Sequence, residues 1–223
     1  MNRPIAIAID GPAAAGKSTV ARRLAAELGF LYVDTGALYR AIGYCARSRG
    51  VDPGDSAGVE KLLPDIHLAI KYVGGVQRIL LGGKDVSEEI RLPEMSMAAS
   101  KVSAIPAVRA YLLELQRDFA RTESVVMDGR DIGTVVLPGA AVKFFLTASP
   151  EERARRRMLE FAQKGRKVDY NALLAEIRER DYNDSHRAIA PLVQAPDAVR
   201  IDNTAMTLEE TVAAMKHRVE GKL

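Results

Sequence analysis

Five short apolar runs punctuate the chain: Ile5 to Ile9, Leu31 to Val33, Ser124 to Met127, Val142 to Leu146 and Ala198 to Ile201. Each is bounded by turn residues, as expected of strands buried in a parallel sheet. Between them lie stretches of helical period with readable ends. Lys17 to Leu28 stops at Gly29, and Pro106 to Arg121 places Val108, Leu112, Leu115 and Phe119 on one stripe. This alternation predicts an α/β fold whose sheet is covered by helices on both faces, with ligands beyond the carboxyl ends of its strands.

One stretch breaks the rhythm. From Ile66 the period becomes two, with Ile66, Leu68, Ile70 and Tyr72 on one side, and Gly74-Gly75 precedes a second run from Val76 to Leu81. The spacing predicts a hairpin in a subdomain inserted at about 60–100, after the loop-like segment 52–58. Further on, Ser149-Pro150-Glu151-Glu152 reads as a capping box with proline at the first helical position. In the helix it opens, Arg153, Arg156 and Arg157 fall on one face and repel unless an anion lies nearby; a solvated surface helix is the alternative.

Composition narrows the chemistry. Of 223 residues 48% are hydrophobic and 27% charged, enough for a sizeable core, and 32 Lys and Arg against 29 Asp and Glu leave +3. That balance, with 5% aromatics, argues against a nucleic-acid binder or a base-stacking platform. Cys45 is the single cysteine, which excludes an internal disulfide and a thiolate zinc site and reads as a buried filler. His67, His186 and His217 are too dispersed for a metal site. The first apolar run turns into Asp10-Gly11-Pro12 without a cleavage site, and no stretch reaches the roughly 18 to 20 apolar residues of a membrane span. No membrane partner and a cytoplasmic location are expected.

The strongest motif follows the first strand. Gly11, Pro12, Ala13, Ala14, Ala15, Gly16, Lys17 and Ser18 match GxxxxGK[ST] in its required context of strand, loop and helix start, and with Thr19 they are candidates for binding ATP. Glycines let successive N–H groups face phosphate oxygens, Lys17 adds a mobile charge, and the Ser18 hydroxyl is the candidate ligand for Mg²⁺ arriving with ATP. The loop identifies a donor and leaves the acceptor open.

Three further segments sit at expected strand ends: Asp34 to Arg40, Asp128 to Thr134 and Arg180 to Arg187. Arg40, Arg130 and Arg187, with Lys17 and the helix cluster, could ring two phosphate chains, which suits catalysis by positioning and charge stabilisation. Asp128 either supports Mg²⁺ or merely pairs with Arg130 or caps a turn, and Asp34 either caps the helix starting near Thr35 or touches ligand.

The motifs IDGPAAAGKST, DTGALYR, DGRDIGT and ERDYNDSHR, in this order and spacing, resemble bacterial cytidylate kinase along essentially the whole chain. The resemblance implies a three-layer P-loop NTPase core with a five-stranded parallel sheet over 1–59 and 101–223, a monophosphate-binding insert at 60–100 and a short lid at about 150–167. It implies transfer of the ATP γ-phosphate to CMP or dCMP by a monomer, with Lys17, Arg130, Arg187 and Asp128 as catalytic residues. Arg40 and Arg130 would hold the CMP phosphate, and Thr35, Arg109 and Asp131 the cytosine. Ser100, Arg180 and Asp184 would hold the sugar, Arg187 would lie by the transferring group, and Arg153 and Arg157 would close from the lid. Thr35 departs from the serine common in relatives. Cytosine offers an amine donor beside ring acceptors, which fits an acceptor such as Asp131 or Thr35 and a donor such as Arg109, and predicts preference for CMP over UMP. Competing readings are a kinase for shikimate, gluconate or another nucleotide, and a nucleotide-gated switch ATPase.

Overall fold

The computed structural model describes residues 4–163 and 165–222. A five-stranded sheet forms its centre: β1 (Ala6–Asp10), β2 (Leu31–Asp34), β6 (Val125–Gly129), β7 (Val142–Thr147) and β8 (Val199–Asp202), in the spatial order β2-β6-β1-β7-β8. Every neighbouring pair is parallel, with Ile7 opposite both Val126 and Val142. The five expected runs become these five strands, displaced by a residue or two at their ends.

Burial on both faces explains the unbroken apolar character of the central strand β1, whereas β8 at the sheet edge alternates with the exposed Arg200 and Asp202. On one side Ile7, Ile9, Val126, Phe144 and Leu146 meet Val20 and Leu24 of α1 (Lys17–Leu28) and Val212, Met215 and Val219 of α8 (Leu208–Glu220). On the other Ala8, Val33, Val125 and Met127 meet Ile132, Val136 and Phe119 of α5 (Pro106–Thr122). Burying each such aliphatic side chain stabilises the fold by about 1.5–3 kcal/mol before entropy is counted. A third cluster joins α2 (Thr35–Ser48) to α4 (Met95–Ser103), α5 and Ile79 through Leu38, Ile42, Val102 and Leu112; the buried Cys45 lies within it, as a filler should.

Between α3 (Ser56–Leu62) and α4 the chain forms a second, antiparallel sheet of β3 (Leu68–Val73), β4 (Val76–Leu81) and β5 (Lys84–Asp85). The period-two stretch supplies β3 and β4; β5, two residues long, is below what periodicity can register. The hairpin is tied to the edge of the main sheet. Gln77 accepts from the Asp34 N–H at 2.8 Å and donates to its carbonyl at 3.2 Å, and the Tyr72 hydroxyl donates to the Tyr32 carbonyl at 2.8 Å.

After β7, α6 (Pro150–Gln163) and α7 (Tyr170–His186) pack against each other, with Arg153 of α6 bonded to Asp181 of α7 and Glu151 to Arg178. The capping box expected at Ser149 is only half formed: the Ser149 hydroxyl accepts from the Glu152 N–H at 3.2 Å, but Glu152 turns its carboxylate to Arg155 and Arg156. The Ser149 N–H is satisfied instead by the Thr204 hydroxyl at 2.9 Å, which removes the need for the reciprocal bond. No helix among the described residues is long and apolar enough to cross a membrane.

Candidate active site

The carboxyl ends of β1, β2 and β6 converge on one cavity of about 670 Å³. Leaving β1, the chain passes Leu146 of β7 so closely that a Cβ on Gly11 would stand 1.9 Å from the Leu146 carbonyl oxygen, so only glycine fits. Gly16 caps α1 in the left-handed region, with φ 87°, and aims the unpaired N–H groups of the first turn at the cavity. Lys17 is buried and donates to the Pro12 carbonyl at 2.7 Å. Burial, reinforced by Arg130, pushes its ammonium well below the usual lysine range, so an anion in the cavity would favour its charged form.

Asp128 is buried at the end of β6. One oxygen accepts from the Ser18 hydroxyl at 2.9 Å and the other from the Tyr32 hydroxyl at 3.0 Å. Burial, with Asp34 adding to it, pushes the carboxyl up to about 6 against the pull of Lys17. The pair of Asp128 with Arg130 that the sequence left open is not formed, since Arg130 Nε donates instead to Asp184 at 2.7 Å. Asp34 caps α2, accepting from the Ala37 N–H at 2.9 Å, and also pairs with Arg40 at 2.8 Å.

The opposite wall is cationic. Arg40, Arg130, Arg180 and Arg187 line it with Arg91, Ser96 and Ser100. Arg180 donates to Ser96 at 2.8 Å, Arg187 to the Ala190 carbonyl, and Arg130 also to the Gly129 carbonyl at 3.3 Å. Arg40 Nε, Arg180 Nε and Arg187 Nη2 are nevertheless buried without a hydrogen-bond partner, as is Arg157 Nε on α6. Burial and the neighbouring Arg130 push Arg180 down to about 10. Arg130 is held above the usual arginine range: burial opposes its charge, but Asp184 more than compensates. Asp184 is held low in turn, as Arg130 and Arg180 outweigh its burial.

At the far end of this wall Asp131, 4% exposed, pairs with Arg109 and lies 3.7 Å from Arg187 Nη2. The Thr35 hydroxyl donates to the Asp128 carbonyl at 2.7 Å, so toward a ligand it can only accept.

Most of the residues singled out from sequence meet here: Ala13, Ala14, Gly16, Lys17, Ser18, Thr19, Thr35, Arg40, Ser100, Asp128, Arg130, Asp131, Arg157, Arg180, Asp184 and Arg187 all line the cavity. Arg109 does not; its guanidinium lies behind Asp131, bonded to it and to the Ser103 carbonyl, with the Tyr39 ring 5.7 Å away. Arg153 does not either. It is 3% exposed and clamps the Ala13 carbonyl at 3.0 Å, the Ala148 carbonyl at 2.9 Å and Asp181 at 2.6 Å, a post beneath the loop. The expected repulsion in its helix is relieved by Asp181, by Glu152 on Arg156, and by Phe161, whose ring lies 5.4 Å from the Arg157 guanidinium carbon. Arg156 lines the cavity and is fixed by Asn203, which also donates to the Ala15 carbonyl at 3.1 Å. Tyr32, Arg91, Ser96 and Asn203 sit outside the four motifs and carry no local signal, whereas Tyr39 lies inside one.

Ser18 and Asp128 offer two hard oxygens at one point, a donor set suited to Mg²⁺ sharing its other positions with water and phosphate. Among the described residues no cluster of three or more His, Cys, Asp or Glu side chains could hold a metal alone.

The chain matches the profile of the cytidylate kinase family over residues 7–220. The cytidylate kinase of Pelotomaculum thermopropionicum is 54% identical over 216 residues, covering 96% of each chain. That of Caldicellulosiruptor bescii is 50% identical over 210 residues, 94% of this chain and 93% of the relative. An uncharacterized protein of Eubacterium ventriosum, solved by crystallography, superposes with a TM-score of 0.51 at 13% identity over 97% of this chain and 98% of its own, which shows the shared fold. Because the match takes in the phosphate loop, the cationic wall and the segment carrying Asp131, the chain belongs to the cytidylate kinase family.

Proposed function

We propose that the protein transfers the γ-phosphoryl group of ATP to CMP or dCMP, with Lys17 and the loop N–H groups holding the donor and the guanidinium wall holding the acceptor. The observation that carries this reading is that Arg40, Arg157, Arg180 and Arg187 line one cavity with the phosphate loop, and each has a buried guanidinium nitrogen without a hydrogen-bond partner. Leaving such donors unsatisfied costs about 1–3 kcal/mol each, more where charged, a cost that would fall if the guanidinium groups turned to bound phosphate oxygens.

Transfer of a phosphoryl group asks the protein for alignment and charge stabilisation more than for bond chemistry. Arg40 and Arg130 orient the acceptor phosphate; Arg187 and Arg157 approach the group in transit. Asp184, with Arg180 and Ser100, holds the sugar. Asp131 accepts from the exocyclic amine of cytosine, and the Thr35 oxygen offers a second acceptor. Arg109 serves by fixing Asp131, and Arg153 by supporting the loop beneath the donor. When bound between Ser18, Asp128 and the nucleotide, Mg²⁺ supplies charge neutralisation on the β- and γ-phosphates. No general base is required, since the acceptor phosphate oxygen is already anionic. The segments 60–100 and 150–167 act as monophosphate clasp and lid, closing to exclude the water that would otherwise hydrolyse ATP.

Coupled ADP production over a panel of monophosphates, shikimate and gluconate tests the reading. CMP and dCMP should dominate by kcat/KM; a better sugar or purine acceptor, or ATP hydrolysis indifferent to acceptor, would overturn it.

A further inference from the structure

Asp10 ends β1 one residue before the phosphate loop and is 3% exposed. It lies outside the cavity lining, yet both its oxygens are committed at the site. One accepts the Ile132 N–H at 2.8 Å and the other the Gly133 N–H at 2.7 Å, from residues 122 and 123 positions along the chain. These are the two peptides that follow Asp131, so a single carboxylate fixes the backbone from which the Asp131 side chain departs. The segment continues as a π-type turn, Ile132–Val136, whose far end is held by Arg117 of α5: Nε donates to the Val136 carbonyl at 3.0 Å and Nη2 to that of Val135 at 3.1 Å. Asp10 therefore holds the backbone next to Asp131, while Arg109 holds its carboxylate.

The charge of Asp10 is not explained by stability. Burial pushes its carboxyl up to about 6, and Asp131 adds to this, although both N–H bonds and Lys17 pull the other way. At neutral pH the folded chain thus keeps an anion that burial disfavours. A group retained against that tendency points to function, as strained or costly groups at functional sites commonly do.

We propose that Asp10 is a positioning residue for acceptor-base selection: its paired backbone hydrogen bonds aim Asp131 at the cytosine amine and anchor that aim to the root of the phosphate loop. The inference rests on the reading that Asp131 senses the amine.

Asp10→Asn tests it, because the amide keeps the shape but accepts from only one N–H and turns its own donor against the other. kcat/KM is measured for CMP and for UMP. The ratio of the two should fall about tenfold or more, the scale of a misplaced catalytic geometry, while KM for ATP moves by no more than about twofold. A purely structural role would lower both monophosphates together. The ratio is internal, so the folded fraction cancels; if Asp10→Asn yields no folded protein, Asp10→Glu, which displaces the oxygens by one methylene, supplies the same ratio. Asp131→Asn is run in parallel. If it collapses the ratio and the Asp10 variants do not, the proposal alone is overturned. If Asp131→Asn also leaves the ratio intact, the reading of Asp131 falls and takes the proposal with it.

Discussion

Replacing Asp131 with asparagine perturbs one charge at the point where the acceptor base is read. The carboxylate is 4% exposed, paired with Arg109 and near Arg187, so the cytosine amine would meet it in a dry setting. A hydrogen bond to a charged group in such a place is worth about 1.5–3 kcal/mol, which corresponds to about 10- to 150-fold in kcat/KM for CMP. The amide can also rotate to present its NH₂ to the O4 of uracil, so activity on UMP should hold or rise and the CMP to UMP ratio should fall further. Breaking a buried ion pair costs about 3–5 kcal/mol of stability, but asparagine keeps an oxygen for Arg109, so the loss should stay below that range. The assay is coupled ADP formation with each monophosphate, preceded by a thermal melt to confirm folding. Equal losses on CMP and UMP would refute the assignment, because a base reader must act on the difference between bases.

Gly11→Ala places a methyl against the Leu146 carbonyl oxygen, and relieving that clash should cost about 1–3 kcal/mol of ATP affinity by calorimetry. Lys17→Met should lower kcat by about 100-fold or more, as loss of a preorganised transition-state contact does, while CMP binding measured by titration changes little. Arg180→Met should abolish most activity yet raise the melting temperature of the free protein, by about 2–4 °C per kcal/mol of relieved burial, because Arg180 is a buried cation pushed down to about 10 with an unpartnered nitrogen. Asp10 adds a pH signature. With its folded value raised to about 6 from 3.8, its charge destabilises the fold above pH 6 and that penalty disappears on acidification. The stability of the natural protein relative to Asp10→Asn should therefore rise by up to about 3 kcal/mol between pH 7 and pH 4, read by denaturant midpoints; a constant difference would contradict the assignment.

The main sheet was legible because its central strands are buried on both faces, which leaves unbroken apolar runs such as Ile5 to Ile9. The loop was legible because its function constrains neighbouring residues, so the pattern is local. Alternation revealed the hairpin through Ile66 to Tyr72, but not that Gln77 and Tyr72 anchor it to β2, since a cross-sheet hydrogen bond leaves no periodic trace. The half-formed box at Ser149 shows the limit of motif reading: the right residues are present, and Thr204 from across the fold takes one of the bonds. Arg153 and Arg157, alike in sequence, part in the same way. Arg153 is drawn beneath the loop by Asp181, whereas Arg157 faces the cavity. Asp10 and Tyr32 escaped notice because each acts through a partner about a hundred residues away.

The arrangement of two phosphate chains end to end between the loop and the guanidinium wall is tested most directly with a bisubstrate compound, adenosine and cytidine joined by five phosphates. Calorimetry should give an affinity well above that of ATP or CMP alone, with displacement by either nucleotide. Binding no tighter than ATP, or competition with only one of the two, would contradict the account.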